Sequence, residues 1–120
     1  MNLEHLRDEL LSEIPETFIG EPPAHTNESI SLREWGGSAA TEHFGQSTTM
    51  RRPHLLIVGR GKDFKPVQLR MQKAKELLNG YSAPEENILS IFARGDIQYL
   101  GKSEGDFHEF QLLFRLLTKE

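Results

Sequence analysis

Four apolar residues in a row, Leu55-Leu56-Ile57-Val58, lead straight into Gly59-Arg60-Gly61-Lys62. A strand with one wet face alternates apolar and polar side chains. An unbroken run predicts instead a central strand, here 53–60, covered on both faces. A helix follows at once. Val67, Met71, Ala74 and Leu78 recur at steps of four, three and four, so one stripe faces a core and Lys65, Arg70, Lys73 and Lys75 lie off it. Asp63 stands where a carboxylate can accept from the free amides of the first turn, and Pro66 is tolerated in that turn for the same reason. Asn79-Gly80 is a stop signal. This strand–joint–helix unit demands a sheet with a helix packed on it.

Around that unit the chain is easily divided. Residues 2–14 read as an amphipathic helix through Leu3, Leu6, Leu10 and Ile14, ended by Pro15. Thr17 to Gly20 reads as a short extended piece, and Pro22-Pro23 as a stiff connection. Ser29 to Trp35 alternates, which predicts a half-buried strand with Ile30 and Leu32 inward. Residues 37–50 are small and polar without period, so they read as a long flexible loop whose large apolar groups are Phe44 and Met50. That loop is either solvated or orders against a partner. Ile88 to Phe92 predicts a third strand, bent at Gly95-Asp96 before Ile97 and Tyr99 resume the alternation. After a loop at 101–106 comes the strongest period of two: Phe110, Leu112, Phe114 and Leu116 on one face, Gln111, Leu113 and Arg115 on the other. The expectation is a single α+β domain over 1–120. Its sheet is small, mainly antiparallel or mixed, of about four strands packed against two helices.

Charge is unevenly spread. Residues 1–50 carry −7, residues 51–75 carry +7 and residues 76–120 carry −4, for a net charge of −4. So basic a block suits an acidic partner, either nucleic acid or the acidic parts of another copy; a solvated face is the plainer alternative. Cysteine is absent, which removes disulfide and thiolate chemistry. No apolar run approaches a membrane span, and the N-terminus lacks the apolar core of a secretory signal, so a soluble protein made in a cytoplasm is expected.

Glycines and a lysine between strand and helix invite a phosphate-site reading, but the spacing denies it. A P-loop needs four residues between its two glycines, then a lysine and a hydroxyl. Here the glycines are two apart and Asp63, a carboxylate that would repel phosphate, follows Lys62. The dinucleotide pattern fails at Phe64. The five histidines, 5, 25, 43, 54 and 108, have no metal-ligand spacing, and His54 reads as a structural residue. Glu85-Glu86 and Arg94-Gly95-Asp96 read as turns. No catalytic constellation remains, so no enzyme activity, cofactor or metal is expected.

The order of features resembles a bacteriophage family. The residues are Pro22-Pro23, the strand Ile30 to Gly37, the polar loop, then Arg52 to Gly80 with Arg60-Gly61, Phe64 and Leu78 to Gly80, and finally Leu100-Gly101 through Asp106 to Leu116. They are similar to the minor capsid or tail-completion proteins of long-tailed phages, which are related to tail terminators. Pro66-Val67 and Phe107-His108 depart from that pattern. The resemblance implies a structural virion protein that caps the tail tube as a ring, typically a hexamer. It stops polymerisation and presents a surface to the head connector, at the head-proximal end of the tail. The implied partners are further copies, the tube protein and the connector, with phage DNA passing nearby and no membrane. The expected interface residues are Arg51, Arg52, Arg60, Lys62, Lys65, Arg70 and Lys73, with Phe44 and Met50 from the loop. The alternatives are a small nucleic-acid-binding module using 51–75, or a different head–tail joining protein.

Overall fold

The computed structural model describes residues 3–20, 27–42, 49–103 and 105–119, with the backbone alone at 11, 36–42 and 49–50. In chain order the elements are α1 (Leu3–Leu11), β1 (Thr17–Ile19), β2 (Glu28–Glu42), β3 (Thr49–Gly61), α2 (Phe64–Leu78), a 3₁₀ turn (Pro84–Glu86), β4 (Ile88–Ala93), β5 (Gln98–Ser103) and β6 (Phe107–Lys119). The sheet order is β1-β2-β3-β6-β4, with β5 also on β6. Every pairing is antiparallel except β1–β2.

The α+β architecture is therefore as the sequence predicts, with two helices on one sheet. It has six strands where about four are expected. One reason is that Thr17–Ile19 is a true strand, held parallel to Ile30–Leu32 by Ile30 N–H donating to Glu16 O and Gly20 N–H to Leu32 O. The other is the bend at Gly95 (φ +88), which divides the third predicted strand into β4 and β5. The two pieces lie end to end along the same edge of β6, β4 opposite Phe114 to Thr118 and β5 opposite Phe107 to Gln111.

The 37–50 loop needs the larger correction. Gly37 and Ser38 pair with Pro53 and Arg52, and Thr41 and Glu42 with Met50 and Thr49, so these residues extend a β2–β3 hairpin. Small polar residues have weak strand propensity, but pairing to a neighbour overrides a local preference. Residues 43–48 lie outside the described residues, and Phe44 with them. Two register shifts in β2 absorb the glycines, and at the first Trp35 and Gly36 together oppose His54. At about 3.4 Å per residue a strand as long as β2 spans roughly 50 Å, which accounts for the 54 Å long axis of the molecule.

Both helices cover one face of the sheet. Leu6 and Leu10 of α1 and Val67, Met71, Ala74 and Leu78 of α2 are buried against Ile30, Leu32, Leu55, Ile57, Phe110, Leu112, Phe114 and Leu116. The stripe read from sequence is thus the packed one. Helix α1 is shorter than expected because its last turn tightens, with Glu13 N–H donating to Leu10 O three residues back ahead of Pro15. At the start of α2, Asp63 occupies the cap position with extended dihedrals, but its carboxylate accepts no capping bond. The helix end instead ties to the sheet edge: Gly80 N–H donates to Ile91 O, and Ala93 N–H to Asn79 Oδ1.

Candidate functional site

Strand β3 shows why one face of the sheet is left bare. Its odd residues face the helices: Leu55 and Ile57 are fully buried, and the positions of Gly59 and Gly61 lie under Met71 and Val67. Glycine there lets α2 approach the sheet closely. The even residues, His54, Leu56, Val58 and Arg60, point the other way and are half-buried. Their register partners on β6 are Arg115, Leu113, Gln111 and Glu109, and on β2 Leu56, Val58 and Arg60 meet Arg33, Ser31 and Ser29. Phe92 lies opposite Arg115 on the same face. Among the described residues no helix or strand covers this face. The double coverage predicted for the Leu55–Val58 run is thus met on one side only.

This bare face mixes apolar and cationic groups. Trp35 is 58% exposed and Phe92 55%, beside half-buried Leu56, Leu113 and Leu117. Arg33, Arg94 and Arg115 stand among them, Arg94 Nη1 lying 3.5 Å from His54 Nε2. At one end the Arg60 guanidinium lies 4.0 Å from the centroid of the Phe107 ring, with Lys62 Nζ at 5.4 Å, and Arg60 Nε is 3.7 Å from Glu109. The Nε atoms of Arg33 and Arg60 are buried without a hydrogen-bond partner.

The sequence-predicted basic block does not form one patch. Arg52 and Arg60 lie on the bare-face register of β3, whereas Lys65, Arg70 and Lys73 ride on α2 on the opposite side. Several of the charges are answered within the subunit. Arg70 bridges Glu28 at 3.1 Å and donates to Pro15 O at 2.8 Å, Lys73 pairs with Glu13 at 3.1 Å and Lys75 with Asp96 at 3.8 Å. Arg51 pairs across to Thr118 and is exposed, and Met50 is placed as backbone opposite Lys119. The block is contiguous in sequence but divided in space.

On the helix side, a cleft of about 460 Å³ opens between α2 and the β4–β5 bend, lined by Phe64, Gln72, Lys75, Asp96, Tyr99 and Phe110. The rings of Phe64, Tyr99 and Phe110 stand 5.0–5.2 Å apart, and the Tyr99 hydroxyl is 2.7 Å from His108 Nδ1. Among the described residues no group of three His, Asp or Glu side chains is placed to hold a metal ion.

No protein-family model matches the chain, and no curated protein matches it either. Solved structures do. The fold is shared with a chain of a gene transfer agent virion. That likeness, to the "Virion of native gene transfer agent (GTA) particle", has a TM-score of 0.65 and 12% sequence identity, and covers 92% of this chain and 84% of that one. At such identity the likeness is one of fold.

The residues that sequence reasoning missed are those of the bare face other than Arg52 and Arg60. The alternation of β6 already separates Leu113 and Arg115 from the core stripe. Trp35, Phe92 and Arg94, however, come to Arg115 only through strand register, which has no local signal.

Proposed function

We infer that this chain is a non-enzymatic structural protein of a phage-like virion, acting as a tail-terminator-like ring subunit at the head-proximal end of the tail. The observation that carries the reading is a fold shared over 92% of the chain with a component of a virion particle. A sheet face with exposed Trp35 and Phe92 among arginines adds to it, because large exposed apolar groups rimmed by charge mark protein contacts. The ring, a hexamer by the family resemblance, would meet the tube protein on one side and the head connector on the other.

The nucleic-acid alternative draws on the basic block, and four of its cations, Arg60, Arg70, Lys73 and Lys75, already have carboxylate neighbours. That removes much of the phosphate-neutralising capacity on which such binding rests.

The test is co-expression with the tail-tube protein of the same virion, followed by negative-stain electron microscopy. Tubes of uniform length carrying a ring at one end are the expected result. Tubes of unrestricted length, with the chain absent from their ends, would overturn the reading.

A further inference from the structure

We propose that the bare sheet face seats the helix layer of a second copy of this chain, with acidic α1 of one subunit against Arg94 and Arg115 of the next. The inference deepens the ring reading by naming the two surfaces that meet, and rests on it for biological context only.

Three observations support a protein occupant of this kind. The face is apolar between its charges, with Leu56, Leu113 and Leu117 half-buried and Trp35 and Phe92 more than half exposed; a phosphate backbone would leave these uncovered. Its acidic member among the described residues, Glu109, is taken up by Arg60, so Arg33, Arg94 and Arg115 look outward for carboxylates. The complementary surface is on the same molecule: α1 exposes Glu4, Glu9 and Asp8, the last beside Arg7 at 3.3 Å, and α2 beside it projects Leu69, 51% exposed.

The charge pattern also selects the symmetry. Two bare faces brought together would oppose arginine to arginine, so a two-fold dimer through this face is disfavoured. The helices lie on the far side of the sheet from the arginines, so the contact joins two different patches. It repeats from subunit to subunit, closing into a ring or running on as a filament. The charges set partner and register, and the apolar groups between them supply the affinity.

The absence of cysteine makes the contact directly testable. Asp8→Cys and Arg115→Cys are made singly and together, and joined with a flexible bismaleimide on purified protein without tube or connector. The expected result is a heterodimer when the two single variants are mixed and a ladder of covalent oligomers from the double variant. Glu4→Cys with Arg94→Cys reads the same contact should the first pair fail to fold. Linking no better than from Lys102→Cys paired with Asp8→Cys, or Arg115→Cys linking only to itself, would overturn the proposal. So would duplex DNA binding that Arg94→Glu and Arg115→Glu abolish in chains that do not link. The failures are separable: capped tubes without a ladder retain the ring and lose this contact, whereas a ladder without capped tubes does the reverse.

Discussion

Gly61 presents its bare Cα to Val67 so closely that a Cβ would overlap the valine Cγ2, with Glu28 Cγ only 3.2 Å away. One strand position earlier on the same face, a Cβ on Gly59 would lie 2.6 Å from Met71 Sδ. These contacts explain the glycines of the strand–helix joint: they set the distance between α2 and the sheet. Overpacking such a contact costs about 1–3 kcal/mol. Gly61→Ala is expected to lower the urea midpoint with unchanged slope, and more than Gly59→Ala, because β-branched Val67 is stiff where Met71 can adjust. Val67→Ala introduced with Gly61→Ala should recover part of the loss. A Gly61→Ala protein as stable as the parent would refute the close approach.

The Arg60 guanidinium carbon lies 4.0 Å from the centroid of the Phe107 ring. A double-mutant cycle between Arg60→Ala and Phe107→Ala should return a coupling of about 0.5–2 kcal/mol. Arg60→Lys should lose much of it, since an ammonium cannot lie flat on the ring. Zero coupling in chemical denaturation would mean that the contact contributes nothing.

Arg70 ties three pieces of chain together, donating to Pro15 O after α1 and pairing with Glu28 at the start of β2. Both side chains of the pair are less than a third exposed. Arg70→Ala is therefore expected to cost roughly 1.5–3 kcal/mol, the range for hydrogen bonds to charged groups. Glu28→Gln should cost less, because the bond to Pro15 O survives. Equal losses in thermal denaturation would assign the whole effect to the ion pair.

Burial, reinforced by Glu9, Glu85 and Glu86, raises the Tyr81 phenol above its usual 10.0, and its hydroxyl lies 2.7 Å from His5 Nε2. A group with a raised folded pKa contributes stability that is fully present below its unfolded value. Stability should thus hold below about pH 10 and fall as pH rises through the higher folded value. Tyr81→Phe should flatten that alkaline decline and remove the latest-titrating part of the tyrosinate absorbance. An unchanged absorbance curve would contradict the shift.

What the sequence determined by itself lies in periodicity and punctuation, because both act over a few neighbouring residues. The 3.6-residue stripe of Val67, Met71, Ala74 and Leu78, the two-residue alternation of Phe110 to Leu116, and the stop at Asn79-Gly80 all appear in the fold as read. The P-loop pattern likewise fails on spacing alone. Tertiary structure decided the rest. The small polar residues at 37–42 are strand because β3 offers them a partner across the hairpin. The +7 block is divided because alternate residues of β3 point to opposite faces and α2 carries its lysines to the helix side. The bare face exists only through register, which brings Phe92 opposite Arg115 and Leu56 between Arg33 and Leu113. Long-range pairing has no signature in a local window, and it is the pairing that turned Arg33, Arg94 and Arg115 into one surface.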